Sequence, residues 1–146
     1  MRGVGRVESA GVSCARTYVA SLLCSALLLT ACAKGSQSAS TTSGAQVYAA
    51  NCSSCHQANG QGAVGAFPPL AGSEIVAGDP ARMIHIVKFG LTGPVTVNGK
   101  TYDGQMPAWS PQMSDAKIAS VITYVRSAWG NSATPVTSSQ VTAVSR

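Results

Sequence analysis

The sequence predicts an all-α fold of three to five helices with one short β-hairpin at residues 95–102, and three observations favour it. Apolar residues recur at helical spacing along residues 118–129. Capping residues stand at both ends of residues 79–90, which predicts a second helix. Residues 57–72 hold six glycines and prolines among small side chains, so they predict a loop.

The first helix is expected at residues 44–55, where small and apolar side chains predominate. Gly44 and Tyr48 lie about one helical turn apart and therefore on the same face. We expect this face to pack against the last helix. Tyr124 lies off the apolar stripe of that helix and is the expected partner.

The second helix has clear signals at both ends. Asp79 is suited to the N-cap, Pro80 to the first helical position, and Gly90 to the residue after the last turn. His85 lies among apolar residues of this helix. We interpret it as an exposed or hydrogen-bonded histidine, with a role as metal ligand as the alternative.

The remaining elements are the hairpin and the last helix. The dipeptide Asn98-Gly99 is a strong turn signal, and two such short strands need support from another part of the domain. Ser114 can cap the last helix, and Asp115 favours its positive end. The apolar stripe of this helix consists of Ile118, Val121, Ile122, Val125 and Trp129.

Residues 1–31 predict a secretory signal peptide of the lipoprotein type. Three arginines precede an apolar run that is too short for a convincing transmembrane helix. The run ends in Leu-Thr-Ala-Cys, which resembles the bacterial lipobox and implies cleavage before Cys32 and a lipid on its thiol. An ordinary signal peptide with a chance cysteine is the alternative. The polar residues 32–43 would be a flexible tether, with the protein lipid-anchored in the bacterial periplasm.

Residues 131–146 are mostly small or hydroxyl-bearing, and we expect a disordered tail because they offer no apolar face. Residues 44–130 remain as the folded domain. The formal charge is +5 for the whole chain, and residues 32–146 carry seven Lys and Arg against four Asp and Glu. Such a modest positive charge argues against a strong nucleic-acid footprint.

The segment Cys-Ser-Ser-Cys-His at residues 52–56 predicts the chemistry of the chain, because C-x-x-C-H is the attachment signature of a c-type haem. Cys52 and Cys55 would form thioethers with the porphyrin, and His56 would bind the iron. A thioredoxin-like dithiol would need a βαβ context, and structural zinc would need four ligands. A disulfide would close a strained ring and leave the histidine unexplained. One copy of the motif predicts one covalent haem c.

Two further residues are candidates for haem binding. Pro68 offers a carbonyl that could accept the second ring N–H of His56, since metal-bound histidines normally donate that proton. Pro69 is the alternative acceptor. Met106 precedes a proline, and a residue in that position is disfavoured in a helix, so we expect it in a loop. Its thioether is the candidate second axial ligand. The alternative for Met106 is a hydrophobic plug over the haem edge.

Residues 44–130 resemble class I c-type cytochromes. The resemblance is carried by Gly44, Tyr48, CSSCH at 52–56, PPL at 68–70, MPAW at 106–109 and TYVRSAWGN at 123–131. It implies a small cytochrome c fold in which the first and last helices cross near a glycine and an aromatic, and a loop methionine completes the iron coordination. The chain is especially similar to haem domains in cytochrome c subunits of periplasmic alcohol dehydrogenases. Those subunits carry several haems, whereas this chain has one C-x-x-C-H.

With His56 and Met106 both bound, iron would have no open position, so the sequence predicts an electron carrier and not an enzyme. The expected partners are redox proteins, a dehydrogenase or a terminal oxidase. The protein would meet them at the membrane as a monomer or as a complex subunit. The alternative is a five-coordinate haem protein that acts as a peroxidase or gas sensor.

Overall fold

The computed structural model describes residues 42–146. The predicted signal peptide, Cys32 and all but the last two residues of the predicted tether lie outside this range. The described elements are α1 (Gly44–Asn51), α2 (Ser53–His56), α3 (Glu74–Ala77), α4 (Pro80–Phe89), β1 (Val95–Val97), β2 (Lys100–Tyr102), α5 (Asp115–Ser127) and α6 (Ser138–Ala143). Among the described helices, none combines the length and the hydrophobicity needed to cross a bilayer.

These six helical segments exceed the three to five that the sequence predicted. The helix expected at residues 44–55 is divided at Cys52, whose φ of −114° departs from helical values. α3 is a single turn whose start is capped by the Ser73 hydroxyl. α6 lies in the segment that was expected to be disordered. The additional segments are therefore one interrupted helix and two short helices without strong sequence signals.

α1 crosses α5 at the predicted glycine. A Cβ placed on Gly44 would lie 2.8 Å from the Cβ of Tyr124, so only a glycine lets the two helices approach this closely. The Tyr48 ring lies 5.6 Å from the Tyr124 ring and 4.8 Å from the Trp129 ring, measured between centroids. The expected contact between Gly44, Tyr48 and Tyr124 is confirmed.

The predicted caps of α4 and α5 are present. The Asp79 carboxylate accepts from Ala81 N at 2.9 Å, Pro80 begins α4, and Gly90 follows its last turn. Ser114 caps α5 in the same way by accepting from a backbone N–H of the first turn. His85 is exposed and stacks edge-on against a phenylalanine of α4, as expected for a histidine outside the site.

The hairpin lies at the predicted residues and is supported by another part of the domain, as expected. β1 and β2 pair antiparallel, with Val95 opposite Tyr102. Both carboxylate oxygens of Glu74 lie 2.9 Å from the backbone N–H of Asn98, which joins the turn to α3. Val97 and Tyr102 are buried, so one face of the hairpin packs against the domain.

Residues 131–146 differ from the predicted disordered tail, since they fold back along α5 and end in α6. Val136 and Val141 join the buried core, the latter with no exposed surface. Thr123 exchanges two hydrogen bonds with the backbone of Val136, at 3.1 and 2.9 Å. The prediction of disorder is wrong because distant side chains supply the contacts that the segment itself lacks.

The hydrophobic core lies between α1, α4, α5 and this carboxyl-terminal segment. Its largest fully buried side chains include Tyr48, Ile84, Ile118 and Ile122. One side of this core is open to a cleft, whose walls come from α1 to α5, the two strands and the loops between them.

Candidate functional site

All five residues that the sequence singled out within the domain line one cleft: Cys52, Cys55, His56, Pro68 and Met106. The cleft encloses about 1120 Å³ including its open mouth. Its lining is mostly aliphatic and aromatic. Residues up to 54 positions apart in the sequence are thus brought together around one apolar space.

His56 is held in one orientation by Pro68. The Nδ1 atom of His56 lies 2.9 Å from the carbonyl oxygen of Pro68. Because a carbonyl oxygen can only accept, this contact places the proton on Nδ1 and leaves Nε2 free to bind a metal. The acceptor is Pro68 and not Pro69, as the sequence predicted.

The loop between His56 and Pro68 is shaped by backbone hydrogen bonds. Gly62 N donates to His56 O at 2.9 Å, which turns the chain back directly after the histidine. Ala63 and Phe67 then exchange two bonds, at 2.9 and 2.8 Å, and bring Pro68 beside the imidazole. The glycine-rich composition of this loop permits these tight turns.

The electrostatics of the cleft favour neutral groups. Burial lowers the pKa of His56, and the hydrogen bond to Pro68 opposes part of that shift. The imidazole is therefore neutral at neutral pH, which is the form that binds metals. Burial, reinforced by the neighbouring Cys55, raises the pKa of the Cys52 thiol to about 11. Both cysteines are half-buried free thiols.

Met106 is carried by a loop that is paired to the chain just after α4. Leu91 and Met106 exchange two backbone hydrogen bonds, at 3.0 and 2.9 Å. Gly90 lies beneath this pair with a φ of 78°, and a Cβ there would lie 2.6 Å from the Met106 oxygen. The residue that follows α4 must therefore be glycine both for its conformation and for the close approach of the loop.

The same loop is fixed a second time, on the last turn of α4. Trp109 N donates to Val87 O, and Ser110 N donates to Lys88 O, each at 3.1 Å. Four backbone hydrogen bonds thus hold residues 106–110, on either side of the proline that follows Met106. Such pairing fixes the backbone from which the Met106 side chain reaches the cleft.

The sequence reasoning missed Tyr102 as a residue of the site. Tyr102 is 5% exposed and lines the cleft, and its hydroxyl makes no hydrogen bond to any residue in the range 42–146. The signal was present in the hairpin register, since Tyr102 faces Val95 and its neighbour Thr101 is exposed. A hydroxyl on an otherwise apolar wall is available to a polar edge of a bound group.

The residues present fit a covalently attached haem. Two thiols and one imidazole from residues 52–56 lie at the wall of an apolar cleft. The histidine proton is placed so that the other ring nitrogen is free. A methionine thioether from a separate, hydrogen-bonded loop lines the same space.

Comparison with known proteins gives the family. Residues 39–125 match the family described as cytochrome c oxidase, cbb3-type, subunit III. Cytochrome c-552 of Thermus thermophilus is 45% identical over 92 residues, which cover 60% of this chain and 69% of that protein.

Two further relatives are named as subunits of larger enzymes. The cytochrome c subunit of alcohol dehydrogenase (quinone) from Gluconobacter oxydans is 40% identical over 91 residues, covering 62% of this chain and 19% of that protein. The cbb3-type oxidase subunit CcoP of Azospirillum brasilense is 33% identical over 103 residues, covering 66% and 31%. This chain therefore spans less than a third of either subunit. The family match and the likeness to cytochrome c-552 place this chain in the cytochrome c family, whose members are electron carriers with covalently attached haem c.

Proposed function

We propose that this protein transfers single electrons as a monohaem cytochrome c, with His56 and Met106 as the two axial ligands. The observation that carries the proposal is the meeting of these two side chains and both cysteines at one apolar cleft. The hydrogen bond from His56 Nδ1 to Pro68 supports ligation through Nε2. The paired loop of Met106 supports a fixed second ligand.

Each group of the chain has a distinct task in this proposal. Bound haem supplies one-electron chemistry, since its iron has ferric and ferrous states. Cys52 and Cys55 attach the group covalently, and the apolar walls exclude water, which favours the reduced state. The Tyr102 hydroxyl would be available to a polar group of the haem. With His56 and Met106 both bound, no position remains for a substrate.

An absorption spectrum tests the ligand set. A methionine-to-iron charge-transfer band at the red edge of the visible range is expected in the oxidised protein and should be absent in Met106→Leu. Met83→Leu is the matched control, because Met83 is also buried and lines the cleft and the exchange conserves volume. If the unmutated protein lacks the band, the proposal fails and the five-coordinate peroxidase or gas-sensor alternative takes its place.

We further propose that the protein acts at the membrane face of the bacterial periplasm, tethered through a lipid on Cys32, and exchanges electrons with a dehydrogenase or a terminal oxidase. Relatives named as subunits of an alcohol dehydrogenase and of a cbb3-type oxidase support such partners. Redox encounters bury little surface, so a tether that raises local concentration suits a transient carrier. If the protein copurifies with a dehydrogenase or oxidase from solubilised membranes, it is a subunit of that complex. If it purifies without a partner, it is a free shuttle.

A further inference from the structure

The segment after α5 extends beyond the family match, which ends at residue 125. In this chain residues 131–146 pack along α5 and place α6 beside the end of α4. The segment is held at several points. Thr123 binds the backbone of Val136, and the Arg126 guanidinium donates to the oxygen of Thr134 at 2.7 Å.

Lys88 joins this segment to α4. Its side chain is buried, with 8% of the residue exposed, and its ammonium donates to the carbonyl oxygens of Val141 and Val144, both at 2.7 Å. These carbonyls belong to the last turn of α6 and its C-cap, and that of Val141 also accepts from Val144 N at 3.3 Å. A buried ammonium requires such acceptors, because an unpaired charge away from water is strongly disfavoured.

The backbone of the same lysine holds the ligand loop. The carbonyl oxygen of Lys88 accepts from Ser110 N, and the carbonyl of Val87 accepts from Trp109 N. Three residues further along, Leu91 pairs with Met106. One residue of α4 therefore contacts α6 through its side chain and the Met106 loop through its main chain.

We propose that Lys88 is a positioning residue through which the carboxyl-terminal segment locks the Met106 loop against the cleft. This rests on the proposed function, in which Met106 is an axial ligand. When α6 is in place, the Lys88 ammonium is satisfied and the last turn of α4 is fixed, so residues 106–110 keep their four hydrogen bonds. When α6 is absent, the ammonium must turn toward water, and the turn of α4 that carries the loop loosens.

The test measures how readily Met106 leaves the iron. Imidazole added to the oxidised holoprotein at fixed pH competes with the thioether, so its apparent affinity reports the opening of the Met106 loop. Lys88→Met keeps the apolar stem and removes the ammonium. Termination after Pro135 removes α6 and both acceptor carbonyls. We expect each change to raise the apparent imidazole affinity about tenfold or more, because charge-assisted hydrogen bonds are lost.

Two controls separate this role from a general loss of stability. Thr142→Val removes the bond from α6 to Asp115 and a bond within α6 to Ser138 O but leaves both contacts of Lys88, and we expect the imidazole affinity to stay unchanged. In a Met106→Ala background no loop has to open, so adding Lys88→Met should leave the imidazole affinity as it was. An effect of equal size in that background would overturn the proposal.

The outcomes also distinguish this proposal from the proposed function. If the unmutated protein lacks the methionine-to-iron band, the ligand assignment itself fails. If the band is present and neither Lys88→Met nor the truncation changes the imidazole affinity, the locking role is refuted and the ligand assignment stands.

Discussion

Tyr48 donates its hydroxyl proton to the backbone oxygen of Gln57, at 2.6 Å. Gln57 follows His56 directly and has a φ of 63°, so the hydrogen bond fixes the chain where it leaves α2. Tyr48 also packs against Tyr124 and Trp129. The aromatic contact between the first and last long helices therefore reaches the end of the C-x-x-C-H segment.

Replacement of Tyr48 should change how the free energy of unfolding depends on pH in the alkaline range. Burial, with smaller contributions from Cys52 and Tyr124, raises the pKa of Tyr48 from 10.0 to about 12. The folded state thus holds its phenolic proton when the unfolded chain has lost it. The stabilising effect is complete below pH 10 and is lost as the pH rises from 10 to about 12.

Denaturant unfolding across this pH range checks the effect. We expect Tyr48→Phe to lower the free energy of unfolding at pH 7 by about 1 kcal/mol, the typical value of one hydrogen bond. The decline between pH 10 and 12 should become shallower. Tyr124→Phe is the comparison, since it removes only one of the smaller contributions to the pKa of Tyr48 and should change the decline less. An unchanged decline in Tyr48→Phe would contradict the assignment.

Asn131 should be a major contributor to stability although it lies at the edge of the family domain. Its amide accepts from Gly72 N at 2.9 Å and donates to the oxygens of Leu70 and Val125 at 3.1 and 2.8 Å. We expect Asn131→Ala to lower the free energy of unfolding by about 2–3 kcal/mol. Asn59→Ala, at an exposed loop position with one hydrogen bond, should cost under about 1 kcal/mol in the same measurement.

The two cysteines should act independently in attachment. In a host that matures c-type cytochromes, Cys52→Ala or Cys55→Ala should each retain haem through one thioether. The double variant should release it on acid denaturation. Mass spectrometry of the denatured protein measures the retained group, and Ser53→Ala is the matched control. Retention of haem by the double variant would disprove covalent attachment at these positions.

Lipidation at Cys32 predicts membrane association that depends on one thiol. Cys32→Ser should move the protein from the membrane fraction to the soluble periplasmic fraction. Two or more acyl chains anchor stably, whereas a polar tether alone does not. Cys24→Ser, which lies inside the predicted signal peptide, should leave the partition unchanged. Membrane association that persists in Cys32→Ser would refute the anchor.

The parts of the fold that the sequence predicts are those with local signals. The ends of α4 are set by Asp79, Pro80 and Gly90, which act on residues close to them in the sequence. The turn at Asn98-Gly99 is set locally in the same way. The site was predictable for a related reason. C-x-x-C-H is a contiguous chemical pattern, and Pro68 follows it within one loop.

The parts that the sequence does not predict depend on distant partners. The segment 131–146 has few apolar residues, and its order comes from Lys88 and Thr123, which lie 53 and 13 positions away from their acceptors. Tyr102 lines the cleft from a hairpin whose turn is bound to Glu74, 24 positions before Asn98. Such contacts leave no local pattern in the sequence. Composition alone therefore predicts disorder for residues 131–146 and does not indicate that Tyr102 belongs to the site.

The wall of the cleft and the hydrophobic core share some of their residues. Seven side chains belong to both: Tyr48, Val76, Met83, Met113, Val121, Ile122 and Val125. Substitutions there would alter the surroundings of the redox centre and the integrity of the fold together. Positions such as Met106 and Pro68 line the cleft outside that cluster. Substitutions in the loops can therefore change the reduction potential with little effect on the stability of the fold. Substitutions at the shared helix positions change both together.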